Sequence, residues 1–372
     1  MAMQKRKLGR TGLQVSVIGF GGIPIIALSR NEAERVVRYA LEGGINYFDT
    51  ARAYGDSEEK IGAALKDSRD EVIIATKVPW QRIKEDAARA GLKQSLRNLQ
   101  TDRIDLVQLH GIDSEETLKK TTGPQGSLAA LKKAKAQGQI DYVGISGHNP
   151  YVLEKAIGTQ EFDTVLVPLN ILDRRAIETL IPLARELGVG IVIMKAMGGC
   201  QAPLQYPQRD ARFLGSPELD WPDPSEFITH FGKDGIERVQ RSLKFVLAHD
   251  VDTVIPGLRS TEEVDYVLKV AEDSEGLTPE EQQACKFGEL PTEPFCRECE
   301  MCMPCPDGVE IPTILRWGTY YTFHRIRKWT REQYPKLRTK VNSCTDCGEC
   351  ERNCPYHLPV IRMLKAAEKM LT

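Results

Sequence analysis

The stretch Phe48-Asp49-Thr50-Ala51-Arg52-Ala53-Tyr54 decides the fold of this chain. The short apolar run before it predicts a buried strand, which Asp49 closes and which Tyr54 follows in the loop. Two later apolar strands end in the same way, one at Lys77 and the other at His110. Because the carboxyl ends of the strands in a parallel barrel meet on one face, we expect these four side chains to lie together there.

These residues together resemble the aldo-keto reductase family, whose pattern reads FDTAxxY, then a strand ending in TK, then a strand ending in LH. The matching motifs here are Phe48 to Tyr54, Thr76-Lys77 and Leu109-His110, in the same order. The resemblance covers roughly the first three quarters of the chain. It implies an α/β fold, a (β/α)8 TIM barrel, which we assign to residues 1–275.

The resemblance also implies a catalytic set, with Tyr54 as general acid-base and Asp49, Lys77 and His110 in support. The chemistry agrees, because reduction of a carbonyl by hydride needs a proton at the carbonyl oxygen. A tyrosine with a pKa near ~10 is a poor acid-base group at neutral pH unless a cation lowers that pKa. Lys77 can supply the charge, Asp49 can balance it, and His110 can orient the carbonyl.

The rest of the first three quarters alternates strands with helices. Strands are predicted at 142–146, 164–167, 190–194 and 253–255, and the count fits eight strand-helix units. Residues 8–22 predict a hairpin that caps the barrel floor and runs into the first strand. Residues 197–235 are too long for a plain loop, and they predict either a flap over the cofactor or substrate or a surface insertion.

The resemblance places a nicotinamide cofactor, NADH or NADPH, beside the catalytic set. Ser146 matches a residue that holds the carboxamide, whereas Asn170 and Lys195 stand near positions where the family has other residues. Near the eighth strand the corresponding residues are Gly257, Arg259 and Glu263. A glutamate repels a 2′-phosphate and can accept from a ribose hydroxyl, which favours NADH, although Arg259 can still serve as a phosphate clamp.

Composition excludes several classes of protein. The chain has 372 residues and 41% hydrophobic residues, enough for a real core and about two domains. The formal net charge of -2 argues against general nucleic-acid binding. No apolar run approaches the ~18 residues that a membrane span needs, and the basic start has no apolar signal core behind it. The expected location is the cytoplasm, without nucleic acid or membrane as a partner.

Nine of the ten cysteines lie in the last quarter of the chain, and eight of them form two motifs. The second motif has the bacterial ferredoxin spacing C-x2-C-x2-C-x3-C-P, and the first is one residue shorter before its last cysteine. We therefore assign residues 276–372 to a ferredoxin-like domain that binds two [4Fe-4S] clusters. The ferredoxin rule predicts one cluster on Cys296, Cys299, Cys302 and Cys354, and the other on Cys344, Cys347, Cys350 and Cys305. Zinc bound by four cysteines is the alternative, and Cys200 and Cys285 are expected to be buried thiols.

Between the motifs, residues 311–340 have apolar positions at helical spacing and predict a helix packed by one face. Its polar side carries the basic residues His324, Arg325, Arg327, Lys328 and Arg331. This side is either a solvated surface or a dock for an acidic electron-transfer partner, such as a ferredoxin or flavodoxin.

The predicted function is an oxidoreductase that interconverts a carbonyl compound and an alcohol with a nicotinamide cofactor, and whose clusters exchange electrons with a partner. Nicotinamide gives two electrons as hydride, whereas each cluster takes one, and the sequence has no flavin motif to mediate. A further cofactor or partner, single-electron chemistry, or purely structural clusters would each resolve this mismatch. A barrel that binds or regulates without turnover is the rival interpretation, and the intact catalytic set argues against it.

Overall fold

The computed structural model describes residues 3–79, 84–171, 173–197, 239–272, 278, 296–322 and 324–372. The predicted domain boundary at 275/276 lies outside the described residues, as do Cys200, Cys285 and all but the first residue of the predicted long loop. The boundary therefore stays a prediction.

The first part of the chain forms an eight-stranded parallel sheet that curls into a barrel, as predicted. Its strands are β3 (Phe20–Gly21), β4 (Tyr47–Asp49), β5 (Ile73–Pro79), β6 (Ile104–His110), β7 (Ile140–Ser146), β8 (Thr164–Pro168), β9 (Gly190–Met194) and β10 (Thr253–Val254). Each strand pairs with its neighbour in sequence order. Parallel bridges from Ile18 to Val254 and from Gly21 to Gly257 connect the two ends of the sheet.

An antiparallel hairpin of β1 (Lys5–Lys7) and β2 (Gln14–Ser16) covers the amino-terminal end of the barrel. Its residues Leu8 and Val15 join the small apolar cluster that fills the barrel interior. Gly9, in the left-handed region at φ 47°, makes the turn, and a Cβ there would lie 2.3 Å from the backbone nitrogen of Gly190. Only glycine fits this approach, and the hairpin caps the barrel floor as predicted.

Helices surround the barrel, and the main apolar core lies between them and the sheet. The first helix begins after Ser29, whose hydroxyl and backbone form a capping box with Glu32. The segment between β8 and β9 contains two helices rather than one, because Thr179 has non-helical backbone angles. Around the barrel, the helices that the structure describes in full are Arg30–Glu42, Ser57–Leu65, Glu85–Asn98, Glu115–Thr122, Ser127–Ala136, Pro150–Gly158, Arg175–Glu178, Leu180–Glu186 and Thr261–Glu272.

The cysteine-rich part has its own apolar core, to which most of the motif cysteines contribute. Its α-helices are Ile311–Thr322, Arg327–Gln333, Glu349–Arg352 and Val360–Leu371. The prediction of one helix over 311–340 is wrong. The chain turns through Arg325 at φ 55°, which ends helical geometry and lets Trp329 pack edge-on against Trp317 with ring centroids 6.1 Å apart.

The cysteine-rich domain packs against the carboxyl end of the barrel. The Arg327–Gln333 helix contacts the turn Pro24–Ala27, and the guanidinium of Arg175 lies 6.0 Å from the ring centroid of Tyr356. The domain therefore lies over the face where the strands deliver their polar ends. In the described part of the chain, helices are too short or too polar to cross a membrane.

Candidate active site

A buried ion pair lies at the centre of this face. Asp49 ends β4, Lys77 lies within the neighbouring β5, and both are almost completely buried. The ammonium of Lys77 donates to Asp49 Oδ1 and to the carbonyl oxygen of Thr50 at 2.7 Å. The amide of Gln108 donates to Asp49 Oδ2 at 3.2 Å. Parallel pairing of β4, β5 and β6 brings these groups together from distant parts of the sequence.

Tyr54 and His110 complete the predicted catalytic set around this pair. The Lys77 ammonium lies 5.0 Å from the centroid of the Tyr54 ring. The rings of Tyr54 and His110 meet edge to face at 5.5 Å. The Tyr54 hydroxyl makes no hydrogen bond to any described residue and borders a cavity, so it is left for a ligand. The four predicted residues therefore share one site.

The acid-base properties of Tyr54 differ from the expectation. Burial raises the pKa of Tyr54 well above its usual value, Tyr320 and Asp49 add to the rise, and Arg316 opposes it. The predicted lowering by Lys77 is wrong, because Asp49 already balances the lysine charge and burial disfavours the phenolate. Tyr54 thus holds its proton at neutral pH and is equipped to donate it.

His110 is held as a neutral imidazole. Burial lowers its pKa well below the usual value, and the charges of Lys77 and Arg316 lower it further, against the opposing charge of Glu298. A neutral imidazole offers one N–H donor and one acceptor nitrogen. His110 is therefore suited to hydrogen bonding with a carbonyl oxygen rather than to carrying a charge.

Asp49 and Lys77 each oppose the effect of burial on the pKa of the other. Burial raises the pKa of Asp49, and Lys77 and Gln108 oppose the rise. Burial likewise lowers the pKa of Lys77, and Asp49 opposes that change. Each charge therefore depends on its partner, since a lone buried charge is costly.

The cavity beside Tyr54 has walls from both domains. The barrel contributes the catalytic set together with Ser146, Leu166, Met194 and Ile255. The cysteine-rich domain contributes Glu298, Arg316, Thr319, Tyr320 and His324. The volume is about 120 Å³, below the roughly 300–1,000 Å³ of common ligand pockets. The second domain thus closes the site around a small space.

Glu298 is the polar centre of the contact between the domains. It lies between Cys296 and Cys299, and its carboxylate accepts from Lys195, which follows β9. Arg316 donates to the other oxygen at 3.1 Å, and Nε2 of His148 lies 3.4 Å from it. Burial would raise the pKa of Glu298, but Lys195, His148 and Arg316 outweigh it and lower that pKa. A carboxylate of the cysteine motif is therefore held ionised in the barrel's cavity.

The six predicted cofactor residues separate into two groups. Ser146, Lys195 and Gly257 line the cavity, whereas Asn170, Arg259 and Glu263 are not among its lining residues. Asn170 donates to the carbonyl oxygen of Lys195 at 3.0 Å. Nε of Arg259 donates to Glu263 at 3.2 Å. Arg259, a predicted clamp for the 2′-phosphate, is thus already paired with Glu263.

The fit of a nicotinamide dinucleotide depends on the position of the second domain. The Ser146 hydroxyl donates to the carbonyl oxygen of Leu109 at 3.2 Å, and Lys195 is bound by Glu298. The described residues leave only the small cavity beside Tyr54. The barrel side offers a floor for a nicotinamide ring, and the contact of Glu298 with Lys195 covers part of that floor.

Motif cysteines that are distant in sequence lie near one another. Burial raises the pKa of Cys302 to about 12, and the thiols of Cys296, Cys299 and Cys350 add to the rise. Burial also raises the pKa of Cys299, with Cys354 adding to the rise. Cys354 thus lies with the first motif although it ends the second. Its position fits the crossed ligand set of a two-cluster ferredoxin.

The second set is built in the same way. Burial raises the pKa of Cys350 to about 11, and Glu351, Cys344 and Cys305 contribute to the rise. Cys305, which ends the first motif, therefore lies with the second. Within the described ranges, no three His, Cys, Asp or Glu side chains surround one point as a single metal ion requires.

Sequence reasoning missed the residues that the second domain supplies to the cavity. Glu298 and Arg316 are far from the barrel motifs in sequence. The one available signal was a charged residue inside a cysteine motif. Both Glu298 and its partner Lys195 have left-handed backbone angles, φ 55°, which are uncommon for residues other than glycine and occur at functional sites.

Comparisons with known proteins agree with this two-part organisation. Residues 17–286 match the model of the aldo/keto reductase family. Residues 295–359 match the model of a 4Fe-4S dicluster domain. The first match covers more than half of the chain and includes every predicted catalytic residue.

Individual relatives match the barrel part. An uncharacterized oxidoreductase of Bacillus subtilis is 30% identical over 301 residues, which cover 76% of this chain and 95% of the relative. An L-galactose dehydrogenase of Arabidopsis thaliana is 29% identical, with coverages of 74% and 90%. The holo form of an aldo-keto reductase from Bacillus halodurans is 31% identical with a TM-score of 0.60, and covers 76% of this chain and 95% of its own.

Proposed function

The chain belongs to the aldo/keto reductase family of NAD(P)-dependent oxidoreductases and carries a 4Fe-4S domain, and from this premise we propose that it interconverts a carbonyl compound and an alcohol in the cavity beside Tyr54. The substrate is a small molecule. The one observation that carries the proposal is the convergence of Tyr54, His110 and the Lys77–Asp49 pair on one closed cavity. We place the enzyme in the cytoplasm.

The protein's own groups account for the proton side of the reaction. Tyr54 donates its proton to the carbonyl oxygen as that oxygen gains negative charge, and its raised pKa keeps the proton available. His110 donates a hydrogen bond to the same oxygen. The Lys77–Asp49 pair provides a fixed dipole next to the phenol, and the closed walls exclude water.

The electrons come from a two-electron donor. A reduced nicotinamide, when bound, supplies a hydride to the carbonyl carbon. We propose that Ser146, Lys195 and Gly257 hold its nicotinamide end, and that Asn170, Arg259 and Glu263 lie along the remainder. The paired Arg259 and Glu263 favour NADH, because the arginine is already occupied by a carboxylate.

The second domain is proposed to hold two [4Fe-4S] clusters and to exchange electrons with a protein carrier such as a ferredoxin or flavodoxin. The crossed cysteine sets support this arrangement. Glu298 lies between two ligands of the first cluster and borders the cavity, so that cluster is next to the reaction site. The alternative is that the clusters are purely structural. It predicts the same cysteine ligands but no change in the oxidation state of the clusters during turnover.

The test is reduction of a panel of small aldehydes and ketones by anaerobically prepared protein with its clusters. Tyr54→Phe should lower turnover by roughly 10²–10⁴-fold, as expected for loss of a general acid. Tyr151→Phe is the matched control, because this tyrosine is 57% exposed on the barrel surface.

Unchanged turnover in Tyr54→Phe would exclude the phenol as the proton donor. A parent protein that reduces no carbonyl, yet binds the same compounds, would favour the non-catalytic barrel. Equal losses in both tyrosine variants would show a general effect on folding.

A further inference from the structure

Arg316 of the cysteine-rich domain reaches the cavity with unused donors. It lies on the Ile311–Thr322 helix, and its Nη1 donates to Glu298 at 3.1 Å. Its Nε and Nη2 make no hydrogen bond to any residue in the described part of the chain. The side chain is 24% exposed, and it lines the cavity that also holds Tyr54 and His110. Two nitrogen donors of a permanent cation are thus left for a ligand.

The charges of the cavity wall do not cancel. Lys77 is balanced by Asp49, and Glu298 is shared between two cations, Lys195 and Arg316. This leaves an excess of one positive charge in the wall. Three histidines also line the cavity. Burial and nearby cations lower the pKa of His110 and that of His324, the latter to about 3, so neither adds a charge. His148 lies against the carboxylates of Asp113 and Glu298.

The excess charge is close to the reacting groups. Arg316 opposes the rise in the pKa of Tyr54 and lowers that of His110, so its charge acts on both. A guanidinium offers a planar pair of N–H groups that matches a carboxylate, and Lys195 is already bound by Glu298. An anion on Arg316 and a carbonyl at Tyr54 can therefore belong to one small molecule.

We propose that Arg316 binds the carboxylate of the substrate, which makes the natural substrate a small oxo acid and its product a hydroxy acid. This inference rests on the proposed carbonyl reduction, and it gives the iron-sulfur domain a direct part in substrate choice. The carboxylates of Asp113 and Glu300 lie nearby but are not among the residues that line the cavity, so the lining residues themselves carry the net positive charge.

The experiment compares glyoxylate, pyruvate and benzoylformate with their methyl esters as substrates of the cluster-containing protein. The parent should prefer at least one acid over its ester by about 10²-fold in kcat/KM. Arg316→Gln should lower kcat/KM for the acid far more than for its ester, so that the preference is lost. Arg316→Lys should recover part of the preference, because lysine keeps the positive charge but lacks the planar pair of N–H groups. Arg338→Gln, which removes an exposed arginine of the same domain, is the matched control.

Binding of oxamate, a carboxylate that is not reduced, separates this inference from the proposed function. Calorimetry should show binding to the parent and at least about tenfold weaker binding to Arg316→Gln, as expected for loss of a charge-assisted hydrogen bond. Binding that depends on Arg316, in a protein that reduces no carbonyl, would support the anion site and contradict the reductase. No preference for any acid, or equal oxamate binding by parent and Arg316→Gln, would overturn the inference.

Discussion

Lys195, at the carboxyl end of a barrel strand, donates to Glu298, which lies between two cysteines of the iron-sulfur domain. This contact joins the two halves of the protein inside the active-site cavity rather than at a remote surface. Any change in the position of the iron-sulfur domain therefore changes the walls of the cavity.

Glu298→Gln should loosen the contact between the domains. The substitution keeps the shape and leaves Lys195 and Arg316 facing each other without a balancing charge. Breaking a buried pair costs about 3–5 kcal/mol, and the partial exposure of both cations reduces this to about 2 kcal/mol. Hydrogen exchange should increase in the Ile311–Thr322 helix. Glu332→Gln, at an exposed position, is the control, and equal exchange in both variants would contradict the role of Glu298.

The same contact should limit cofactor entry. Fluorescence titration of Glu298→Gln should show tighter binding of NADH than in the parent, because Lys195 is released and the second domain withdraws more readily. A gain of about tenfold corresponds to about 1.4 kcal/mol of contact energy. Weaker binding in the variant would mean that the closed domain helps to hold the cofactor.

Preference between the two nicotinamides should depend on Glu263. The parent should bind NADH more tightly than NADPH, since Arg259 is paired with this carboxylate. Glu263→Ala removes this carboxylate from the guanidinium and should raise the affinity for NADPH relative to NADH by about tenfold, the size of one charge-assisted contact. A ratio that does not change would remove Arg259 from the cofactor site.

Iron analysis should find about eight iron and eight sulfide per chain, as two cubane clusters require. Cys354→Ser should alter the same cluster signal in electron paramagnetic resonance as Cys296→Ser, although Cys354 is closer in sequence to Cys344. Cys305→Ser should resemble Cys344→Ser instead. A signal that follows the sequence motifs rather than the crossed sets would contradict the ligand assignment, and stoichiometric zinc would exclude the clusters.

Stability should fall with pH partly through His324. Burial, Arg259 and Lys195 lower the pKa of this imidazole to about 3, from 6.5 for an ordinary histidine. Since the unfolded chain binds the proton more tightly, stability is fully present above pH 6.5 and is lost as the pH falls towards 3. Between pH 7 and 5.5 the loss is about 1 kcal/mol. The free energy of unfolding, measured with denaturant at both pH values, should fall by that much less in His324→Gln than in the parent. An equal fall in both proteins would contradict the assignment.

The exposed basic residues of the Arg327–Gln333 helix should affect electron exchange with a protein carrier. Arg327, Lys328 and Arg331 are exposed, whereas Arg325 is partly buried, so only the first three are included. Their joint neutralisation should flatten the salt dependence of cluster reduction by an acidic carrier, because screening shortens to about 10 Å near 0.1 M salt. Stopped-flow reduction over a salt series measures this. Equally fast reduction in parent and variant at every salt concentration would contradict docking at this surface.

The sequence by itself determined the barrel and the identity of the residues at its centre. Strand ends are local features, because an apolar run that stops at Asp49, Lys77 or His110 already indicates which end of the strand is polar. The cysteine spacings are equally local. Crossed ligation is a prediction from a rule about Cys-Pro endings, and the proximity of Cys305 to Cys350 and of Cys354 to Cys299 supports it.

Only the tertiary structure decided what closes the active site. Glu298 and Arg316 carry at most a weak signal in the sequence, since a charged residue in a cysteine loop or on an amphipathic helix is usually solvated. Their roles arise from the docking of one domain on the other, which is a long-range contact. The raised pKa of Tyr54 is also a property of the tertiary structure, because burial raises it and Tyr320 of the second domain adds to the rise.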